Sequence, residues 1–137
     1  MRISQQAMEA IRAHAKEGYP YEICGVMVGP GRDGLVTEAH RAKNIEQERP
    51  QVRYTIDPHD QIRIERDADE RGLQVVGYYH SHPDHPALAS VTDAERSFPG
   101  AVFLIIACER GEPKDANAFV AADIGGPMRQ EELEILE

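Results

Sequence analysis

Two apolar segments, LQVVGYYH at 73–80 and AVFLIIAC at 101–108, constrain this fold more than any other feature of the sequence. Both have the length of a strand, and both are rich in the β-branched and aromatic residues that favour strands. The first is apolar on both faces, so other parts of the chain must cover both faces. The sequence therefore predicts a central strand at 73–80 and a second buried strand at 101–108.

The segments around these strands alternate between helical and extended patterns. Helices are predicted over about thirteen residues from a cap at Ser4, from Asp57-Pro58 to about Arg71, and over 91–98. The first helix would place Met8, Ile11 and Ala15 on one apolar face. Strands are predicted at 21–29, at 35–45 as its hairpin partner, at 53–57 and at 116–123, while the final EELEILE could form a strand or a helix.

This order of elements, α-β-β-β-α-β-α-β-β, indicates an α/β fold with a mixed β-sheet and flanking helices. A chain of 137 residues with 41% apolar residues fits a single domain over 1–137 with a core of its own. Cys24 and Cys108 lie in apolar surroundings, outside any C-x-x-C motif, and we expect both to be buried, reduced thiols.

Charge and hydropathy exclude several classes of function. The formal net charge is −9, which argues against nucleic-acid binding, because that binding depends on neutralising phosphates. No stretch approaches the roughly 20 apolar residues that a membrane span needs. The start of the chain lacks the apolar segment of a signal peptide, so a cytoplasmic location is expected.

The segment GPGRDG at 29–34 matches the G-x-G-x-x-G pattern of dinucleotide-binding loops. That pattern requires a helix directly after it. The residues that follow, LVTEAHRAKNI, include β-branched residues and have no helical face, and Pro30 removes an amide that a phosphate would need. A hairpin turn is therefore the better interpretation.

The segment HSHPDHPALASVTD at 80–93 is dense in imidazole and carboxylate groups, which suggests a metal site. One hypothesis uses His80, His82, Asp84 and His85, an H-x-H-x-D-H pattern similar to that of the metallo-β-lactamase superfamily. Such a paired site needs further ligands later in the chain. The remaining histidines, at positions 14, 40 and 59, all precede the cluster, and the chain is short for that fold.

The other hypothesis uses His80, His82, Ser90 and Asp93, in the pattern H-x-H-x7-S-x-x-D. Side chains alternate along a strand, so His80 and His82 point the same way if the strand extends to His82. Asp93 would return in the first turn of the next helix as an oxygen ligand. Two histidines and one carboxylate leave a fourth zinc position open, which is the arrangement of a catalytic site.

Hydrolysis at such a metal also needs a base that is not a ligand. Glu22 is the best candidate, because it begins the apolar segment EICGVMVG, where an acid has no packing value. If that strand pairs with 73–80, Glu22 can face the metal.

Together, Glu22 in EICG, HSHP at 80–83 and SVTD at 90–93 resemble the motif of the JAMM metalloprotease family, also called the MPN domain. The resemblance covers most of the chain, and every motif residue is present. It implies a fold similar to that of cytidine deaminases, although the H-x-E and P-C-x-x-C signature of those enzymes is absent. It also implies one zinc ion per chain, held by His80, His82 and Asp93.

The resemblance further implies that Glu22 activates the water and protonates the leaving amine, while Ser90 helps hold the oxygen of the tetrahedral intermediate. JAMM enzymes cut peptide or isopeptide bonds after the C-terminal Gly-Gly of ubiquitin-like proteins. Only a short helix separates the motif from AVFLIIAC, which is typical of a minimal bacterial type. Such enzymes process sulfur carriers, and in cysteine biosynthesis they release the newly made cysteine. A sulfur-carrier C-terminus is therefore the expected partner.

Alternative interpretations accompany each of these residues. Ser90 and Asp93 also fit a helix capping box, a role compatible with catalysis. A non-catalytic MPN scaffold would share the fold but bind other subunits, and it should purify without stoichiometric zinc. Asp84 and His85 are expected on the rim of the site, and the other histidines, His14, His40 and His59, are expected at the surface.

Overall fold

The structure is a computed structural model that describes residues 1–31 and 33–137. Its elements in chain order are β1 Arg2–Ser4, α1 Gln5–Gly18, β2 Cys24–Gly29, β3 Leu35–Val36, β4 Glu38–Ala42, α2 Pro58–Glu70, β5 Gln74–Pro83, α3 Val91–Glu95, β6 Val102–Glu109, β7 Glu112–Ala121, β8 Met128–Glu131 and β9 Glu134–Leu136.

A six-stranded sheet with the order β4-β2-β5-β6-β7-β8 organises the molecule. The β5–β6 pair is parallel and the other neighbours are antiparallel, so the sheet is mixed. The two apolar segments form its central pair, as predicted. A smaller parallel sheet, β3-β1-β9, joins the two ends of the chain.

Helices cover both faces of the large sheet. The Ser4 side chain caps α1 by accepting a hydrogen bond from the Ala7 N–H. The predicted apolar face of α1 is buried against strands β2, β5 and β6. On the other face, α2 packs Ile64 and Ala68 against Val26 and Val28 of β2. The predicted α/β architecture is therefore confirmed, and β2 is buried along its whole length because it is covered on both sides.

The predicted strand at 53–57 does not form, and only the isolated bridge between Asn44 and Ile56 remains of it. The Asn44 side chain makes hydrogen bonds to the backbone of this segment of the kind that a neighbouring strand would make. Its Nδ2 donates to the Glu22 and Arg53 carbonyls, and its Oδ1 accepts from the Glu46 and Thr55 N–H groups. The segment 43–57 is therefore a loop, held by the Asn44 side chain together with backbone hydrogen bonds such as Ile45 N–H to the Thr55 carbonyl and Asp57 N–H to the Lys43 carbonyl.

Several smaller expectations can be compared with the structure. The segment 29–34 begins at the last residue of β2 and precedes β3, and β4 then pairs antiparallel with β2, as a hairpin requires; Arg32 lies outside the described residues. Cys24 and Cys108 are buried, free thiols. Residues 2–4, which had no predicted strand, form β1, and the ending EELEILE contributes β9.

Among residues 1–31 and 33–137, no helix combines the length and the apolar character that crossing a membrane requires.

The expectation that His14 lies at the surface is wrong. His14 is buried in α1, and its Nδ1 forms a 2.8 Å hydrogen bond with the Tyr79 hydroxyl group of β5. A histidine on a helix can face the sheet when a buried hydroxyl group satisfies its ring, which no local pattern reveals. Burial lowers the pKa of His14 to about 4, and the nearby charge of Arg41 adds to that effect.

We therefore expect His14 to make the fold acid-sensitive. Between pH 6.5 and about 4 the unfolded chain binds a proton at His14 and the folded chain does not. Stability is present above pH 6.5 and falls as the pH drops through this range, by about 3 kcal/mol at most. Urea unfolding of His14→Gln between pH 8 and 4 should show a shallower acid loss. The exposed His59→Gln is the control, and parallel curves for parent and His14→Gln would contradict the assignment.

Candidate metal centre

Strand β5 and helix α3 bring three potential ligands together. Strand β5 extends through Pro83, so it remains regular across both His80 and His82, and the two imidazoles lie on the same face. Asp93 is the third residue of α3 and points back toward them. His80, His82 and Asp93 form the group that could hold a metal ion.

The donor atoms of these residues are almost equally spaced. His80 Nε2 lies 3.2 Å from His82 Nε2 and 3.1 Å from Asp93 Oδ1. His82 Nε2 lies 3.0 Å from Asp93 Oδ2. All three side chains are at least nine-tenths buried, so their lone pairs converge on one small volume that is largely closed to water.

Neighbouring groups fix the orientation of both imidazoles. The Pro86 carbonyl lies 2.8 Å from His82 Nδ1, so the proton of neutral His82 belongs on Nδ1 and its Nε2 is left free as a ligand. The Tyr54 ring stacks on His80, with centroids 4.5 Å apart and an interplanar angle of 26°. Both rings are thus held before any metal binds.

Ser90 and Asp93 form the capping box that their spacing suggested. The Ser90 hydroxyl oxygen accepts from the Asp93 N–H, and Asp93 Oδ2 accepts from the Ser90 N–H at 2.9 Å. The same carboxylate faces both histidines. Asp93 therefore stabilises the start of α3 and contributes to the metal cluster at the same time.

The charge states of Asp93 and His80 suit a cation; burial acts to lower the pKa of His82, but its hydrogen bonds to Asp93 and the Pro86 carbonyl outweigh burial and raise that pKa. Burial acts to raise the pKa of Asp93, but hydrogen bonds from His80 and His82 outweigh it and hold the pKa well below its usual range. Burial lowers the pKa of His80, which favours the neutral imidazole. An ionised carboxylate and a neutral imidazole are the forms that bind metals.

Glu22 lies just before β2 and is 5% exposed. Its N–H donates to the Pro50 carbonyl, and its own carbonyl accepts from Asn44. The β2–β5 pairing places it beside the cluster, as anticipated, and a groove of about 410 Å³ is lined by Glu22, His82 and Ser90. Burial raises the pKa of Glu22 to about 8, against the opposing charge of His82.

Ser81 also contributes to the site, which the sequence did not reveal. It is fully buried on the opposite face of β5 from the histidines. Its Oγ accepts from the Ile23 N–H at 2.9 Å, and its N–H donates to the Ile23 carbonyl at 3.1 Å. These two bonds join Ile23, the residue after Glu22, to the residue between the two histidines, and so hold the start of β2 against β5 at the cluster.

The H-x-H-x-D-H alternative is not assembled. Asp84 and His85 are exposed, as expected for the rim. The Asp84 carboxylate accepts from the Tyr19 hydroxyl group at 2.5 Å and from the Arg110 N–H at 2.8 Å, so it anchors the loop after β5. Asp84 therefore has a structural role in this loop.

Residues 4–122 match the family model for prokaryotic homologues of the JAB domain. The chain belongs to this prokaryotic JAMM/MPN family. It is 40% identical over 108 residues to a desampylase from Haloferax volcanii, which covers 75% of this chain and 77% of the relative. It is 25% identical over 136 residues to a CysO-cysteine peptidase from Mycobacterium tuberculosis, which covers 98% of this chain and 90% of the relative.

Solved structures of JAMM/MPN proteins share this fold. A protein from Desulfitobacterium hafniense aligns with a TM-score of 0.84 and 30% identity, over 99% of this chain and 92% of its own. A JAB1/MPN domain protein from Archaeoglobus fulgidus aligns with a TM-score of 0.62 and 19% identity, over 100% and 97% of the two chains.

The two aspartates of the 80–93 segment separate the two hypotheses. Asp93→Ala removes an oxygen donor from the cluster, so we expect the purified protein to lose its bound metal. Asp84→Ala should keep the metal, because Asp84 serves only to anchor its loop. Metal content per chain by plasma mass spectrometry measures both. Full occupancy in Asp93→Ala, or loss confined to Asp84→Ala, would overturn the ligand assignment.

Proposed function

We propose that this chain is a zinc-dependent metallopeptidase of one domain. It would hydrolyse the peptide or isopeptide bond after the C-terminal Gly-Gly of a ubiquitin-like protein, with a sulfur carrier as the substrate. The observation that carries this proposal is the convergence of His80, His82 and Asp93 on one point, with Glu22 in the adjoining groove.

The donor set fits zinc. Four ligands at zinc's usual bond lengths form a tetrahedron with edges of roughly 3.3 Å. The separations between donor atoms are of this size: 3.0 Å from His82 Nε2 to Asp93 Oδ2, 3.1 Å from His80 Nε2 to Asp93 Oδ1, and 3.2 Å between the two Nε2 atoms. Two imidazole nitrogens and one oxygen of the Asp93 carboxylate would hold the ion, which would leave a fourth position for water or substrate, as in catalytic zinc sites.

Zinc, when bound, supplies positive charge that lowers the pKa of water to about 7 and polarises a carbonyl group. Glu22 supplies the proton transfers. Its carboxyl group lies in the groove, and burial brings its pKa near neutrality, so it can accept a proton from water and return it to the leaving amine at one pH. Its backbone bonds to Pro50 and Asn44 keep it from swinging away.

Ser90 supplies a hydrogen-bond donor. Its Oγ already accepts from the Asp93 N–H, so its hydroxyl proton is free to point into the groove that it lines. A donor placed there stabilises the negative oxygen that develops when water attacks the carbonyl. The capping role therefore fixes the position of the catalytic hydroxyl group.

The names of the relatives support a ubiquitin-like substrate. A desampylase and a CysO-cysteine peptidase are both similar to this chain over most of its length. The groove is flanked by the half-exposed apolar side chains of Val52 and Leu88, which suit an extended tail lying between them. Release of a C-terminal cysteine from the carrier is the leading form of this reaction. The alternative is a non-catalytic scaffold, which predicts no bound zinc.

Glu22→Gln should lower kcat by about 10²–10⁴-fold, because the amide cannot accept the proton. Zinc content should stay at one per chain, since Glu22 is not a ligand. The assay incubates sulfur carriers that bear an extension after Gly-Gly with the zinc protein and follows intact mass. Cleavage by Glu22→Gln at the parental rate would refute the role of Glu22. A parent protein without zinc would favour the scaffold.

Ser90→Ala should reduce kcat by about 10²–10³-fold through loss of the oxyanion donor. It should also destabilise the protein by about 1 kcal/mol through loss of the cap. Ser90→Gly, which as a cap costs only a few tenths of that, separates the two effects. If the glycine variant regains activity along with stability, Ser90 has only its structural role.

A further inference from the structure

A second cavity lies next to the metal centre along β5. Tyr78, His80 and His82 share one face of this strand. The groove with Glu22 adjoins His82, whereas a cavity of about 360 Å³ adjoins Tyr78 and is bordered by Tyr54, the residue that stacks on His80. The metal centre therefore has a binding space on each side.

Aromatic rings form the wall of this second cavity. Phe103 lies 6.0 Å from Tyr78 and 5.4 Å from Phe98, measured between ring centroids. Phe98 is 40% exposed, so the wall is open to a ligand from solvent. Such a surface favours an apolar side chain over a charged one.

Arg96 provides a cation at the mouth of the cavity. Its guanidinium lies 6.0 Å from the centre of the Tyr54 ring, and one of its N–H groups donates to the Tyr54 carbonyl. It is the C-cap residue of α3, three residues after Asp93. Burial raises the pKa of Glu22, and the charges of His82 and Arg96 oppose that shift, so the guanidinium is within electrostatic reach of the centre.

Arg96 makes no salt bridge with any carboxylate of the described residues, in contrast to Arg71, which contacts both Glu38 and Asp67. A guanidinium carries five N–H donors in a planar fork, and only one is engaged by the Tyr54 carbonyl. An exposed arginine of this kind can bind a carboxylate through two parallel hydrogen bonds.

We propose that this second cavity binds the residue released by cleavage, with its side chain on the aromatic wall and its free α-carboxylate on Arg96. The proposal rests on the proposed function. It makes the protein selective for a single C-terminal residue after Gly-Gly. An isopeptide-linked lysine brings no α-carboxylate to this position, so such conjugates would be poorer substrates.

Binding tests the proposal without catalysis. The probes are the peptide Gly-Gly-Leu with a free carboxylate and the same peptide as the carboxamide, titrated calorimetrically into the zinc-loaded Glu22→Gln protein. The acid should bind at least about 10-fold more tightly, the usual gain from a charge-assisted pair. Adding Arg96→Gln should bring this ratio close to one. The matched control is Arg66→Gln, an exposed arginine on α2, which should keep the ratio.

Cleavage provides the second test. A sulfur carrier ending in Gly-Gly-Leu, as acid and as amide, should show the same ratio in kcat/KM, and Arg96→Lys should retain part of it. If the peptide carboxylate bound the metal instead, the acid would still bind more tightly than the amide in Arg96→Gln, and this result would overturn the proposal. Equal binding of the two peptides, or no binding of either, would also overturn it. If the acid binds more tightly through Arg96 but no carrier is cleaved, the proposed carboxylate site stands and only the proposed peptidase activity is refuted.

Discussion

The pairing of β5 with strands on both sides is the constraint on which the site depends. From Gly77 to Pro83 this strand is in register with Val102 to Cys108 of β6, and it pairs with β2 on its other edge. A slip of one residue would turn His80 and His82 to the opposite face. Because the apolar neighbours of these histidines are buried on both faces, such a slip would also expose core side chains. The metal geometry is therefore protected by the stability of the whole sheet.

The other half of the site depends on an irregular segment. The loop 43–57 holds Glu22 through Asn44 and Pro50, and it places Tyr54 on His80. Glu22 has no strand of its own to fix it, so these side-chain and loop contacts set its distance from the ligands, together with the Ser81–Ile23 bonds. Glu22 and the Tyr54 ring that stacks on His80 are thus positioned by the same loop.

The sequence predicted what local patterns encode. The central strands, the caps at Ser4 and Asp57 and the proximity of His80, His82 and Asp93 follow from periodicity and short spacings. The sequence did not predict contacts between segments that are distant in the chain. The burial of His14 depends on Tyr79, 65 residues away, and the segment 53–57 bonds to the Asn44 side chain instead of forming the predicted strand. The Tyr54–His80 stack and the bonds of Ser81 to Ile23 likewise depend on pairs that lie far apart in the chain.

The stability of α3 depends on the capping box at Ser90 and Asp93. This helix has five residues, and apart from the buried Asp93 carboxylate each is at least partly exposed, so little packing holds it in place. The Asp93 carboxylate both caps the helix and faces the two histidines, so helix formation and metal binding at the cluster are coupled. Whatever holds Asp93 in its capping conformation also holds it in the conformation that faces the histidines. Metal affinity then includes the free energy of ordering this turn. Evolution could tune the affinity by altering the helix propensity of Val91, Thr92 or Ala94 without changing any ligand.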